Sequence, residues 1–407
     1  MNEPAAPAMP DRVPEFPVER SCPFLLPEAF DEIRAAGPVS RVKLYDGRPM
    51  WAVTRHPEAR AALTDPRLAS GREYENLVFP VPIPALSALD EQRPVRAPLI
   101  ASDRPEHTAR RRVFIPHFTV KRLNALRPDI EAIVNERLDR MLEQGHPVDL
   151  RPAFALPIPS IVICRLLGVP YEDHDYFEEL TMRRFDPVDG QSMVELYDYL
   201  DQLVGEKAKN PGSSAPGLLD DVLAHQVKEG VLDHAGLVMF ALELLIGGHD
   251  TTANMITSGM YTLLCHPEQL AALRADPSLL GGAIEELLRA LSIPASLSRV
   301  AIEDIELGGQ TIRAGDGVLI SPMAANHDET VFQHPGQLDI RRPNRDHIAF
   351  GYGAHQCIGQ NLARIEMEIA FRVLLDRVPT LRLAVPVEEV PIRQGMLAGV
   401  WKLPVAW

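Results

Sequence analysis

One of the chain's four cysteines, Cys357, stands in "FGYGAHQCIGQ" (350–360), a stretch studded with glycines and carrying a histidine two residues earlier. A cysteine buried as a small apolar residue has no use for such surroundings. A sulfur that must meet something bulky does, because glycine lets the backbone approach a ligand closely. Beyond Gly359 the pattern turns helical, "QNLARIEMEIAFRVLLDRV", so the cysteine lies just ahead of a helix start. Backbone N–H groups in such a place favour thiolate over thiol, and the thiolate is the form that binds metals.

Other clusters have their own chemistry. In "LLIGGHDTTANMI" (244–256), Gly247 and Gly248 precede an acid, Asp250, and a hydroxyl, Thr251. Each glycine costs a helix about 1 kcal/mol relative to alanine, so close packing or a groove must compensate. "EELLR" places Glu286 and Arg289 one turn apart, where they can pair. In "DRPEHTARRR" (103–112), His107 and Arg111 are four apart and can face one anionic partner.

The pattern F-G-x-G-x-H-x-C-x-G resembles the haem-ligand loop of the cytochromes P-450, the haem-thiolate monooxygenases, and the other motifs fall in the family's order. "DRPEHTARRR" is similar to the family's D-P-P-x-H-T-x-x-R-R, with Arg104 in place of the first proline, a change in a turn. The resemblance runs from about residue 20 to Trp407 and is greatest to soluble bacterial enzymes of actinomycete natural-product pathways. It implies haem b ligated by the Cys357 thiolate, a ligand type that favours O–O cleavage. It also implies that Phe350, Gly351 and Gly248 lie against the cofactor, while His107, Arg111, Arg299 and His355 hold its propionates. Asp250 and Thr251 would serve dioxygen cleavage, the acid relaying protons inward. Glu286, Arg289 and Arg342 would form a buried ion network.

By position in the family pattern, Val78, Phe79, Ile83, Met182, Leu242, Ile246, Ala295, Leu297, Met396 and Leu397 line the substrate pocket. All ten are apolar, so the substrate is expected to be a largely apolar small molecule. The implied reaction inserts one atom of O2 into it, by hydroxylation or epoxidation in secondary metabolism or xenobiotic conversion. Electrons would come from NAD(P)H through a ferredoxin reductase and a ferredoxin. Arg110, Arg112, Arg345 and Arg364 flank the cysteine side and are candidates to meet that acidic partner. A peroxide-driven haem-thiolate enzyme would not need the Asp250–Thr251 pair, and a haem sensor or carrier would need neither the pair nor a large apolar pocket.

These residues need elements to hold them in place. Thirty-seven prolines sit between periodic segments, as expected of many helices joined by stiff loops. Helical period marks 122–144, 191–209, 236–264 and 281–291. "SRVKLYDGRPMWAVT" (40–54) reads as a hairpin about Asp46-Gly47, and 305–321 as a second β region. The apolar stretch 75–100 is too rich in proline for a helix and reads as a pocket wall; 182–193 reads as a break between helices. The fold class expected is mainly α with a small β portion, the cytochrome P-450 fold, with residues 1–27 an extended leader and 28–407 one domain.

Bulk properties narrow the partners. The chain has 56 Asp+Glu against 41 Lys+Arg, a net charge of -15, which argues against general nucleic-acid binding. Cys22, Cys164 and Cys265 are scattered without the spacing of a zinc site or disulfide framework. No signal peptide or membrane span is legible, so a cytoplasmic monomer is expected.

Overall fold

A 32-residue helix, His234–Cys265, forms the axis of the structure, and it is apolar on nearly every side. Such a helix must be buried by its neighbours. Helices Pro157–Leu167, Ser192–Lys209, Leu280–Leu291 and Gln360–Arg377 pack against it and build one large core. Asp233 caps its start, accepting a hydrogen bond from the Gly236 N–H at 2.8 Å. The computed structural model describes residues 13–71, 79–93, 95–184, 186, 188–210, 217–227, 232–343 and 345–407.

The β portion is a five-stranded sheet in the order Val39–Lys43, Pro49–Val53, Gly317–Ile320, Leu297–Ala301 and Leu68–Ala69, with small two- and three-stranded sheets beside it. The first two strands pair antiparallel, Val39 opposite Val53, across the Asp46-Gly47 turn. Gly308 and Gly309 turn the hairpin Ile305–Leu307/Gln310–Ile312, both at positive φ (58° and 78°). Val300 and Ala301 pair with Ala69 and Leu68, which brings the Arg299 strand beside the chain that leads to His107.

Three expectations change. The 75–100 stretch contains a helix, Pro84–Gln92, because its proline sits in the first turn, where no N–H is needed. The helical run 122–144 is two helices, Val120–Ala125 and Arg127–Glu143, with Pro128 starting the second. Residues 14–27 belong to the body rather than trailing from it. Phe16 is buried and its N–H donates to the Lys43 carbonyl, and the Arg20 guanidinium donates to the carbonyl of Leu291.

The ion network forms as the motifs suggested. Arg289 meets Glu286 through two parallel bonds of 2.8 Å, and Arg342 Nε reaches the same carboxylate at 2.9 Å. Glu286 and Arg289 are 3% and 1% exposed. Arg289 also donates to the Asn326 carbonyl, while the Asn326 side chain accepts from the Ile348 N–H just before the cysteine loop. Removing one member of a buried pair strands the other and costs about 3–5 kcal/mol. Glu286→Ala is therefore expected to abolish folded, haem-loaded protein at 37 °C, whereas Arg341→Ala, a change at an exposed neighbour, is tolerated. Expression yield and haem content measure both, and normal haem content in Glu286→Ala would refute the network's role.

Candidate active site

The cysteine loop is built by its own backbone. Gly351 and Gly353 adopt φ of +71° and +75°, a region side chains avoid, and a Cβ on Gly353 would stand 2.8 Å from the Leu63 carbonyl oxygen. The Cys357 N–H donates to the Phe350 carbonyl at 2.9 Å and closes the loop. The sulfur then receives the backbone N–H groups of Gly359 and Gln360 at the start of the Gln360–Arg377 helix. Arg111 donates to the neighbouring Gln356 carbonyl.

The charges of Arg111 and Arg364 also favour the thiolate, yet burial outweighs all of these and raises the thiol's pKa. Cys357 is at once exposed and deeply enclosed, so its accessible surface faces a space inside the protein. The donors around this sulfur suit a thiolate whose charge is completed by a bound cation.

A second set of groups waits for anions. The His107 and His355 rings lie 4.0 Å apart between centroids, and His107 Nε2 is buried with no hydrogen-bond partner among the described residues. Burial first, then the charge of Arg111, lowers the His107 pKa, while burial and Arg299 hold His355 down to about 3. Burial brings Arg299 down to about 10. Among the described residues, Asp103 is the one acid whose charge is felt at Arg299, and its oxygens are taken by the N–H groups of Ser70 and Gly71. Two histidines and two arginines therefore converge where a pair of carboxylates would relieve them. Together with the thiolate position, these residues fit haem and its two propionates.

The central helix supplies the opposite wall. Within its buried length, Glu243, Ile246, Gly247, Gly248 and Thr251 keep accessible surface. A Cβ on Gly247 would meet nothing within 4 Å, so this glycine opens the helix face. At Gly248 a Cβ would lie 3.0 Å from Ile163 Cδ1, so this glycine allows the contact with helix Pro157–Leu167. Thr251 Oγ1 donates to the Gly247 carbonyl at 2.6 Å, which commits its proton to the helix and leaves its lone pairs to accept.

Asp250 has partners the sequence did not show. It is completely buried, 2.6 Å from Arg151 Nη2, 2.9 Å from Arg393 Nη1 and 3.6 Å from Arg184 Nη2. Burial alone would raise its pKa, but the three guanidiniums, Arg393 first, depress it far below the usual carboxylate range. Its geometry is that of a clamp joining the central helix to the segments bearing Arg151, Arg184 and Arg393.

The expected pocket residues separate. Ala295 N–H donates to the Met396 carbonyl at 2.9 Å, Pro294 bridges to Leu397, and Leu297 Cδ1 lies 3.6 Å from the Cβ position of Gly351. The backbone thus joins the Ala295 segment to the Met396–Leu397 segment, and Leu297 lies beside the cysteine loop. Ile246 is on the helix's open side, Ile83 is half-buried at the start of helix Pro84–Gln92, and Met182 Sδ is 3.9 Å from Arg151. One residue is a correction: Leu242 is 1% exposed within the core, because helical geometry turns it away from Gly247. Phe79 is 47% exposed. Val78 lies outside the described residues. The residue missed at the height of Leu242 is Glu243, which the i, i+4, i+8 spacing to Gly247 and Thr251 would have shown.

Comparison with known proteins agrees with this geometry. The sequence profile of the cytochrome P-450 family matches residues 37–381. The chain is 50% identical over 400 residues to pentalenic acid synthase from Streptomyces avermitilis, covering 96% of this chain and 97% of that one. It is 44% identical to 20-oxo-5-O-mycaminosyltylactone 23-monooxygenase from Streptomyces fradiae, covering 96% and 92%. The crystal structure of cytochrome P-450 MoxA from Nonomuraea recticatena superposes with a TM-score of 0.88 at 46% identity, covering 97% and 98%. The chain belongs to the cytochrome P-450 family and is a monooxygenase of the bacterial, actinomycete type.

One titration follows from the site. His249 is 1% exposed, its Nδ1 lies 3.0 Å from Thr181 Oγ1, and burial together with Arg184 and Arg151 brings its pKa down to about 4. Unfolded histidine titrates near ~6.5, so the contribution is fully present above that pH and is lost as pH falls toward 4, by about 1.4 kcal/mol per unit. His249→Gln is expected to flatten the loss of stability between pH 6 and 4.5 by close to one proton. Urea unfolding across that range reads it directly, and an unaltered slope would mean that His249 takes up its proton in the folded state.

Proposed function

We propose that this monooxygenase inserts one oxygen atom of O2 into a largely apolar small molecule of secondary metabolism, with Thr251 managing the proton at the oxygen side. Haem b, when bound to Cys357 and held by His107, Arg111, Arg299 and His355, supplies dioxygen activation and the electron density that favours O–O cleavage. The observation that carries the reading is the open strip at Gly247 with the Thr251 hydroxyl beside it.

Thr251 does two things there. With its proton bonded to the Gly247 carbonyl, Oγ1 accepts a hydrogen bond from a water or an oxygen-bearing ligand. When that internal bond opens, the same hydroxyl donates. A group that both accepts and donates passes a proton without changing charge, and it acts only within hydrogen-bond reach. Asp250 holds the helix in register for this by its three-arginine clamp. A largely apolar substrate seated over this face keeps water out, so that protons enter by defined groups rather than freely.

Electrons come from NAD(P)H by way of a ferredoxin reductase and a ferredoxin, and the protein acts in the cytoplasm. Among the described residues no helix is long and apolar enough to cross a membrane. Of the four arginines considered for docking, Arg112 and Arg345 are exposed. Arg364 is engaged by Glu285 at 2.7 Å and Arg110 by the Ala97 carbonyl at 2.9 Å. Arg104 joins Arg112 on the same exposed helix side, which makes that edge the favoured acidic-partner surface.

Thr251→Ala is expected to keep haem, substrate binding and NAD(P)H consumption, while hydrogen peroxide replaces most of the product. Peroxide and product yields per NAD(P)H consumed measure this. Unchanged coupling would show that the proton path does not pass through Thr251. Full activity of the wild type with added peroxide and no electron donor would favour the peroxide-driven reading instead.

A further inference from the structure

Glu243 stands one turn before Gly247 and two turns before Thr251, so steps of about 6 Å along the axis carry one helix face from a carboxylate to the hydroxyl. Leu242, Leu244 and Leu245 beside it are buried in the core, whereas Glu243 keeps accessible surface on the same side as Gly247. Its two oxygens accept the N–H groups of Leu99 and Ile100, each at 2.7 Å, which hangs the Leu99–Ala101 turn on the central helix.

Two amides use about half of a carboxylate's roughly four acceptor positions. They do not neutralise its charge. Among the described residues no Arg, Lys or His forms an ion pair with Glu243. The cations whose charge reaches it are Arg111 and Arg110 of helix Glu106–Phe114, and each is bonded to a carbonyl elsewhere, Gln356 and Ala97 respectively. A carboxylate taken from water without a cation is costly, and burial pushes this one up to about 7 in spite of the amides and arginines. Beside it on the open side, Ile246 and Gly247 offer no polar side chain.

We propose that Glu243 is a specificity-determining residue that receives a cationic nitrogen, a protonated or quaternary amine, on an otherwise apolar substrate. The proposal rests on the monooxygenase reading above and names the substrate class of that same site. The ammonium group takes the acceptor positions that Leu99 and Ile100 leave, and the apolar remainder runs along the helix face toward Thr251. The ion pair then sets which carbon is presented for oxidation, one roughly 12 Å from the nitrogen along the helix axis. A neutral analogue of the same shape leaves the carboxylate unpaired, and that loss is what discriminates against it.

The test uses the haem-loaded, full-length protein with two probes, decyltrimethylammonium and 1-decanol, below the concentrations at which they aggregate. Binding is followed by equilibrium dialysis and by the spin-state change of the haem absorption, in wild type and in Glu243→Gln. Wild type at pH 8 should bind the cation at least about tenfold more tightly relative to the alcohol than Glu243→Gln does. The alcohol's own affinity should change little. The preference should shrink toward pH 6 as Glu243 takes up a proton.

If Glu243 only ties down the Leu99–Ala101 turn, the glutamine variant weakens both probes equally, and the proposal is overturned. Equal preference in wild type and variant overturns it as well. A protein that binds haem without the thiolate-type CO spectrum would instead bring down the monooxygenase reading, a failure distinguishable because it is seen before any probe is added.

Discussion

The structure turns on keeping a sulfur charged inside a protein. Burial works against the Cys357 thiolate and raises its pKa, while two backbone N–H groups and the charges of Arg111 and Arg364 work for it. These opposing terms explain why the loop is built as it is. Glycines at positive φ bend the chain so that the N–H groups of Gly359 and Gln360 point at one atom, and the following helix adds its N-terminal dipole. The balance closes only with a cation on the sulfur, as the haem iron of this family provides. The same logic governs the opposite rim, where His107, His355, Arg111 and Arg299 are crowded together and need anions. A group that carries both a metal cation and two carboxylates answers both demands.

Holding such a loop at a fixed distance from the central helix requires stiffness, and the buried ion network supplies it. Glu286 and Arg289 lock helix Leu280–Leu291 to the Asn326 and Asp339 segments, and Asn326 in turn fixes the backbone at Ile348. On the far side, Asp250 gathers arginines from three separated segments onto the same helix that bears Thr251. Buried ion pairs contribute little net stability compared with apolar packing, but each demands a single geometry. Their value here is registration of the two walls of the site.

Much of this was legible in the sequence where a motif is local. The loop about Cys357 and the Glu286–Arg289 turn are local motifs that the family resemblance conveyed, and the long apolar helix shows in its own periodicity. What failed to show depends on the angle at which helices meet. Gly248 and Gly247 are adjacent and chemically identical, yet only contact with Ile163 tells which one packs and which one opens the site. Leu242 read as pocket by its position in the family pattern, but the helix turns it into the core and turns Glu243 out. The clamp on Asp250 stayed hidden because nothing nearby in sequence predicts Arg151, Arg184 and Arg393 closing around it. The helix at Pro84 was hidden by a composition rule that ignores where in a helix a proline sits.

The central claim is that the Cys357 sulfur is the charged ligand about which the rest is arranged. The absorption spectrum of the reduced, CO-bound protein tests it most directly, compared between wild type and Cys357→Ser. The account predicts a red-shifted, thiolate-type band in wild type and its complete loss in the variant. Persistence of that band in Cys357→Ser would move the ligand to Cys22, Cys164 or Cys265 and contradict the account.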